Sequence, residues 1–304
     1  MANTTPVRKN KRFWTMERKQ SVAGWAFLAP AAIMIFVFSF WPMFQAFLIS
    51  LKKGLPTALQ YSDPLWRNYQ FMLKDKVFIQ SVTNTFTYLI VQVPIMLVLA
   101  IIFASLLNNR DLKFRGLFRT CIFLPCATGL VAYSMIFRTL FTYDGMVNAL
   151  LLNLGIISER INWLNDPSTA KAVIIIGLIW RWTGYNMVFF LSGMQGIEYS
   201  IYEAARIDGA NQFQQLIKIT IPLLKPIILV TGIMSTNGTL QLFDESVNLT
   251  RGGPSNTTIT MSHYIYNKMF VGNPNFGYAA AMSFVILIMV AILSAIVTKV
   301  GDKR

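Results

Sequence analysis

Charge is what this chain of 304 residues has least of: only 13% of its residues are Asp, Glu, Lys or Arg, about half the share of a typical soluble domain. It has one histidine, His263, and two cysteines, Cys121 and Cys126. A lone His without a nearby Cys cluster makes no metal site. The spacing of the two cysteines fits neither a zinc nor a redox motif, so they read as small apolar packing residues. The sequence contains no G-x-x-x-x-G-K-[ST] loop, no Gly-rich dinucleotide fingerprint and no H-E-x-x-H. A Ser-His-Asp set is excluded because the single His falls in an expected outer loop. These absences argue that the chain does not hydrolyse ATP itself. Its apolar segments also lack the buried Asp, Glu and His relays of a proton-driven carrier. Any uphill transport must draw its energy from another polypeptide.

What the chain does have is long uncharged runs. No Asp, Glu, Lys or Arg occurs between Lys19 and Lys52, between Lys76 and Arg110, or between Lys268 and Lys299. Roughly 20 apolar residues suffice to cross a hydrocarbon layer about 30 Å thick. Three shorter apolar segments, at 117–137, 172–191 and 226–243, bring the expected number of spans to six. These segments largely lack the polar period of an amphipathic soluble helix, and the short alternating segments of a β-barrel are absent. The expectation is an all-α polytopic membrane protein, since helices satisfy their own backbone in lipid.

Lys and Arg set the orientation. With the N-terminus in the cytoplasm, the inside segments hold sixteen of these residues and the outside segments nine, with Arg138 and Arg181 at or within spans. The expected layout is a cytoplasmic basic tail at 1–23, with an interfacial helix around Phe13, Trp14 and Met16. A first span at 24–51 follows; it is too long for a cleavable signal's apolar region. An extracytoplasmic loop occupies 52–83. A core at 84–298 carries five spans and a cytoplasmic loop at 195–225, and 299–304 forms a cytoplasmic C-terminus. The net charge of +14 is thus mainly an orientation signal. Its dispersal over both faces argues against nucleic acid as a partner.

One stretch departs from the apolar pattern. Glu203 to Pro222 reads E-A-A-R-I-D-G-A-N-Q-F-Q-Q-L-I-K-I-T-I-P. Tyr202 to Ile207 is helix-prone, and Gly209 stands where a helix end requires a left-handed residue. A second helical stretch, Asn211 to Ile219, leads into Pro222. Ala204 and Ala205 give a small-residue face open to close approach. On chemistry alone, a plain amphipathic helix lying on the bilayer is an equal alternative.

The motif decides more. E-A-A, three residues, Gly, nine residues, Ile, one residue, an aliphatic and Pro resembles the signature loop of bacterial ABC-importer permeases. The matching positions are Glu203, Ala204, Ala205, Gly209, Ile219, Ile221 and Pro222; Ile221 replaces the usual Leu. W-x-F-L-A-P-A from Trp25, W-L-N-D-P from Trp163, L-T-R-G-G-P from Leu249, Y-I-Y at Tyr264 and F-G-Y-A-A-A from Phe276 resemble the carbohydrate branch. The likeness is to the first of its paired maltose- and glycerol-phosphate-type permeases. The resemblance implies the type I ABC importer permease fold in a bacterial inner membrane. It also implies a second homologous permease, two ATP-binding subunits holding ATP and Mg, and an extracytoplasmic solute-binding protein. No cofactor is expected on this chain. The loop would form a coupling helix docked on the ATPase, with Glu203, Ala204, Ala205 and Gly209 as the docking surface and Arg206 and Asp208 adding polar contacts.

A sugar path needs aromatic faces plus amide and carboxylate groups. Trp182, Tyr185 and Asn186 in the fourth span, with Asn237, Gln241, Phe243 and Asp244 in and after the fifth, supply both. These polar groups equally serve to hold helices together, and the aromatics to pack. Arg181 is a candidate counter-charge to Asp244 or Glu245. The competing functions are an ABC permease for a non-sugar solute, an autonomous secondary carrier and, more weakly, a scaffold.

Overall fold

The computed structural model describes residues 16–54, 58–109 and 112–301. The expected helix at Phe13 and Trp14 lies outside the described residues, apart from Met16, which begins the first helix.

That helix, α1 (Met16–Ile35), continues through a widened turn at Phe36–Phe40 into α2 (Trp41–Ser50). Together they make a span that is apolar all round, and Trp25, Phe27 and Phe38 lie exposed on it. Only the end of α2 packs, where Phe47 meets Phe284 with ring centroids 5.0 Å apart. A short antiparallel pair, β1 (Lys52–Lys53) and β2 (Gln60–Tyr61), and α3 (Arg67–Met72) follow. The Asn68 amide donates to the carbonyls of Ser50 and Lys52 at 2.7 and 2.8 Å, pinning the chain as it leaves α2.

The second span, α4 (Lys76–Asn108), begins well before Asn84, inside the stretch expected to be loop. The Asp75 carboxylate caps it by accepting from the Val77 and Phe78 N–H groups. Pro94 lies within this helix without ending it.

The third apolar segment, expected to be one span, forms two helices bent by 99°: α5 (Arg115–Ala127) and α6 (Leu130–Leu140). Thr128 and Gly129 between them are extended. Pro125 contributes no N–H to the last turn of α5, which weakens its continuation. A short helix, α7 (Met146–Asn153), is held by Asn148: its amide donates to the carbonyls of Tyr143 and Ile161, and its oxygen accepts from the Trp163 indole at 2.9 Å.

The centre of the molecule is α8 (Pro167–Gln195), started by an Asp166 cap with Pro at its first turn. It packs against α4, α5 and α11 (Ile221–Leu240). One core layer joins Tyr88, Phe137, Ile174 and Leu178; another joins Ala100, Ala104, Met187, Phe190 and Leu224. Close approach is specified at Gly184, where an added Cβ would strike the Ile122 backbone carbonyl of α5. Such fit matters because lipid tails are as apolar as the core, leaving van der Waals contact and hydrogen bonds to select the packing.

Between α8 and α11 run α9 (Tyr199–Ile207) and α10 (Gln212–Gln215), the latter joined to α11 by a widened turn at Leu216–Thr220. After α11 come a widened turn at Ser246–Thr250, α12 (Met261–Phe270) and the last span, α13 (Phe276–Gly301), which packs on α2, α11 and α12. Among the described residues five helices are long and apolar enough to cross a membrane, and the count rises to six if the bent pair α5–α6 is one span.

Candidate coupling surface and intramembrane polar groups

The polar loop between α8 and α11 has a closely specified shape. Gly209 takes φ +79°, the left-handed conformation expected of it. The Ala210 N–H donates to the Ala205 carbonyl at 2.8 Å and the Gly209 N–H to the Arg206 carbonyl at 3.0 Å. These two bonds form the Schellman closure of α9. Asn211 then caps α10 reciprocally: it accepts from the Gln214 N–H at 2.8 Å, and Gln214 accepts from the Asn211 N–H at 2.9 Å. The Gln215 amide donates back to the Ala210 carbonyl at 2.7 Å. Every turn of this loop is closed by its own residues.

The faces of α9 do different work. Tyr199, Tyr202 and Arg206 lie on one side and line a cavity of about 890 Å³, which also touches the end of α4 and the start of α5. Tyr202 is hydrogen-bonded to Thr220 at 2.9 Å, and Arg206 donates to the Tyr199 hydroxyl at 2.9 Å. Glu203, Ala204, Asp208 and Gly209 are exposed, Ala205 is half-buried, and Ile207 is 87% exposed. Of the other motif residues, Ile219 is half-buried and Pro222 exposed. The small-residue face is therefore open, while Arg206 turns toward the cavity.

The polar residues of the fourth and fifth spans separate into two groups. Trp182 and Tyr185 are half-buried and meet edge to face at 5.7 Å. Asn186 is buried, and its amide donates to the Trp182 carbonyl at 3.0 Å. Asn237 is half-buried and accepts from Ser294 of α13 at 3.0 Å, while Gln241 just beyond α11 is exposed. Phe243 packs against Tyr266 at 5.2 Å, and Asp244 is half-buried. Trp182, Tyr185 and Gln241 thus keep accessible surface, whereas Asn186 and Asn237 are engaged in helix contacts.

The family model of the binding-protein-dependent transport system inner membrane component matches residues 73–303. The chain belongs to this family. The permease is 50% identical over 282 residues to the lactose transport system permease protein LacF of Rhizobium radiobacter, covering 92% of this chain and 94% of that protein. It is 33% identical over 291 residues to the arabinooligosaccharides transport system permease protein AraP of Halalkalibacterium halodurans, covering 95% and 90%. It is 31% identical over 290 residues to the trehalose/maltose transport system permease protein MalF of Thermococcus litoralis, covering 95% and 97%. The crystal structure of a bacterial ABC transporter involved in the import of the acidic polysaccharide alginate shares its fold. That match has a TM-score of 0.80 at 21% identity and covers 95% of the permease and 98% of that chain. The fold is that of a type I importer permease, in a multi-pass inner-membrane protein.

Sequence reasoning missed several polar links of the permease. Thr239 of α11 donates to Gln92 of α4 at 3.0 Å, and Asn84 donates to the Ile259 carbonyl at 2.9 Å. Buried His263 is hydrogen-bonded through Nδ1 to Ser246 at 2.8 Å. The available signal was a single amide in a long apolar run, as at Asn84 and Gln92, which in lipid requires a partner on another helix.

Proposed function

We propose that the permease is one of two homologous membrane subunits of an ATP-driven, binding-protein-dependent sugar importer. In this reading two ATP-binding subunits, holding ATP and Mg, sit beneath the pair, and an extracytoplasmic binding protein delivers the sugar from outside. Both termini of the permease and the α9 loop are cytoplasmic. The observation that carries the reading is the E-A-A helix: exposed, small-faced, and shaped by its own Gly209 closure and Asn211 cap without help from a partner. A preformed surface of this kind suits docking with little ordering cost. Glu203, Ala204, Ala205 and Gly209 form the contact, Asp208 adds a polar edge, and Ile207 joins them as an apolar knob. ATP-driven closure of the ATPase pair reaches the spans through α9 and changes which side of the membrane the path faces.

The substrate is a sugar of disaccharide to oligosaccharide size, and the identity to a lactose permease makes lactose the first to test. Trp182 and Tyr185 supply ring faces along the path and Gln241 an amide. The test is uptake into proteoliposomes by the complex assembled from the neighbouring genes' products, with ATP inside and labelled lactose, maltose or an arabino-oligosaccharide outside. Accumulation of one of these sugars that requires both ATP and the binding protein is expected. Uptake by the permease alone without ATP would establish a secondary carrier instead.

A further inference from the structure

Among the described residues Arg181, 7% exposed, is the one buried Lys or Arg, and Glu245, 3% exposed, the one buried Asp or Glu. Arg181 projects from the interior of α8. Its guanidinium lies over the Tyr133 ring at 5.3 Å and the Trp182 ring at 5.5 Å, yet its Nε and Nη1 find no hydrogen-bond acceptor. The buried hydroxyls of Tyr133 and Ser134 on α6 are also without a partner. Glu245 immediately precedes the widened turn Ser246–Thr250, which packs on both α6 and α8. That packing brings Glu245 into the neighbourhood of Tyr133 on α6 and Arg181 on α8. No direct ion pair joins Arg181 to Glu245; among the described residues the one ion pair is Arg160–Asp144 at the surface. Asp244, next in the chain, is only half-buried.

This arrangement is poor as a resting structure. A guanidinium does not shed its proton to escape burial, and ring faces alone replace little of its hydration. A buried charge is tolerated when paired and fully hydrogen-bonded, and an uncompensated one is costly. The two groups also stand at special places in the chain. Arg181 belongs to the helix that enters the coupling loop, and Glu245 follows the helix that leaves it. A relative shift of α8 and α11, the shift that a docked ATPase would impose through α9, changes the separation of the two groups. Packed helices move between discrete arrangements rather than deforming continuously.

We infer that Arg181 and Glu245 form a switchable charge pair, held apart in the conformation described here and joined in the opposite access state of the transport cycle. They are positioning residues: joining them stabilises the other state, and parting them releases it. The inference rests on the transport reading above. The experiment is a double-mutant cycle of Arg181→Gln and Glu245→Gln in the intact importer, read in two trapped states. One readout is thermal stability of the nucleotide-free complex; the other is the fraction of complex trapped by ATP with vanadate. In the state where the pair is joined, each single substitution should cost about tenfold in occupancy and the double no more than the worse single. In the state where the pair is apart, Arg181→Gln removes an uncompensated buried charge and should not destabilise, and the two effects should multiply independently. Independent effects in both states, or equal coupling in both, would overturn the pair while leaving the importer standing. A wild-type complex without ATP-driven sugar uptake would overturn the reading of function and the pair with it.

Discussion

The Tyr264 hydroxyl of α12 donates to the Asp75 carboxylate at the start of α4 across 2.6 Å. Tyr278 of α13 donates to the same oxygen at 2.7 Å, while the other oxygen caps α4. One carboxylate thus ties together α4, α12 and α13, whose residues are far apart in the chain. Burial pushes the Asp75 carboxyl upward, but the hydrogen bonds from Tyr264, Tyr278, Val77 and Phe78 more than offset it and leave it below the usual carboxylate range. A depressed carboxylate contributes stability that is present above its unfolded value, near 4, and lost as the pH falls through the lower folded value. Asp75→Asn should therefore lower the melting temperature of the purified permease at pH 7. The loss should correspond to about 1–3 kcal/mol, a partly exposed site discounting the full worth of charge-assisted bonds. The gap between wild type and variant should close as the pH drops below about 4. A gap that stays constant across that range would show that the charge of Asp75 is not what holds the three helices.

At the coupling surface, conformation and contact are separable. An added Cβ at Gly209 meets nothing within 4 Å, so the demand there is for a left-handed backbone rather than for space. Non-glycine residues pay about 1–2 kcal/mol for that conformation, Asn least. Gly209→Asn should retain most sugar uptake, whereas Gly209→Val should lose much of it and Gly209→Asp should abolish it. Glu203→Lys and Ile207→Asp leave the closure intact and should abolish uptake by weakening co-purification of the ATPase, with the permease still inserted. Normal uptake by both Glu203→Lys and Gly209→Asp would remove the coupling assignment.

Glycine positions also test the packing. Gly184→Ala sets a methyl group against the Ile122 backbone carbonyl, which has no side chain to swing aside. It should destabilise the permease by about 1–3 kcal/mol, as overpacking does. Gly238→Ala in α11 meets nothing and should leave the melting temperature unchanged or slightly raised, since Ala favours a helix interior. Equal stability of the two variants in detergent would contradict the α5–α8 contact.

The substrate path divides by the same logic. Gln241 is exposed and Asn237 is held by Ser294. Gln241→Ala should alter the ranking of transported sugars without changing assembly. Asn237→Ala should alter it and also cost about 1 kcal/mol of stability through the lost hydrogen bond. Unchanged uptake of every sugar in a panel by both variants would exclude these residues from the path.

The six apolar segments were legible because charge is intolerable in hydrocarbon, and a missing charge needs no tertiary information to be seen. The bend between α5 and α6 was not legible. Pro94 and Pro125 look alike in sequence, yet α4 runs on through its proline while the third segment breaks. The break falls at Thr128 and Gly129, just after Pro125, where the backbone turns extended, whereas the residues after Pro94 stay helical. The left-handed Gly209 could be read locally, because Schellman closure is a short-range matter. Arg181 could be matched in advance to Asp244 or Glu245, but that Glu245 is buried and Asp244 only half-buried is a difference of depth that adjacent residues in a sequence do not reveal. The Asp75 junction was invisible, since its partners lie 189 and 203 positions away.

The widened turn at Leu216–Thr220 joins α10 to α11 without interruption, so Gln212–Leu240 is a single 29-residue rod, on the order of 40 Å long. The other junction of α9 is softer: Glu198 makes no side-chain cap, and three residues separate Gln195 of α8 from Tyr199. In the coupling reading proposed above, a push on α9 would arrive at its two neighbours unequally. It would pass through the Gly209–Asn211 corner into the α11 rod as into a piston, with the Gly196–Glu198 link letting α8 lag as the frame against which the piston moves.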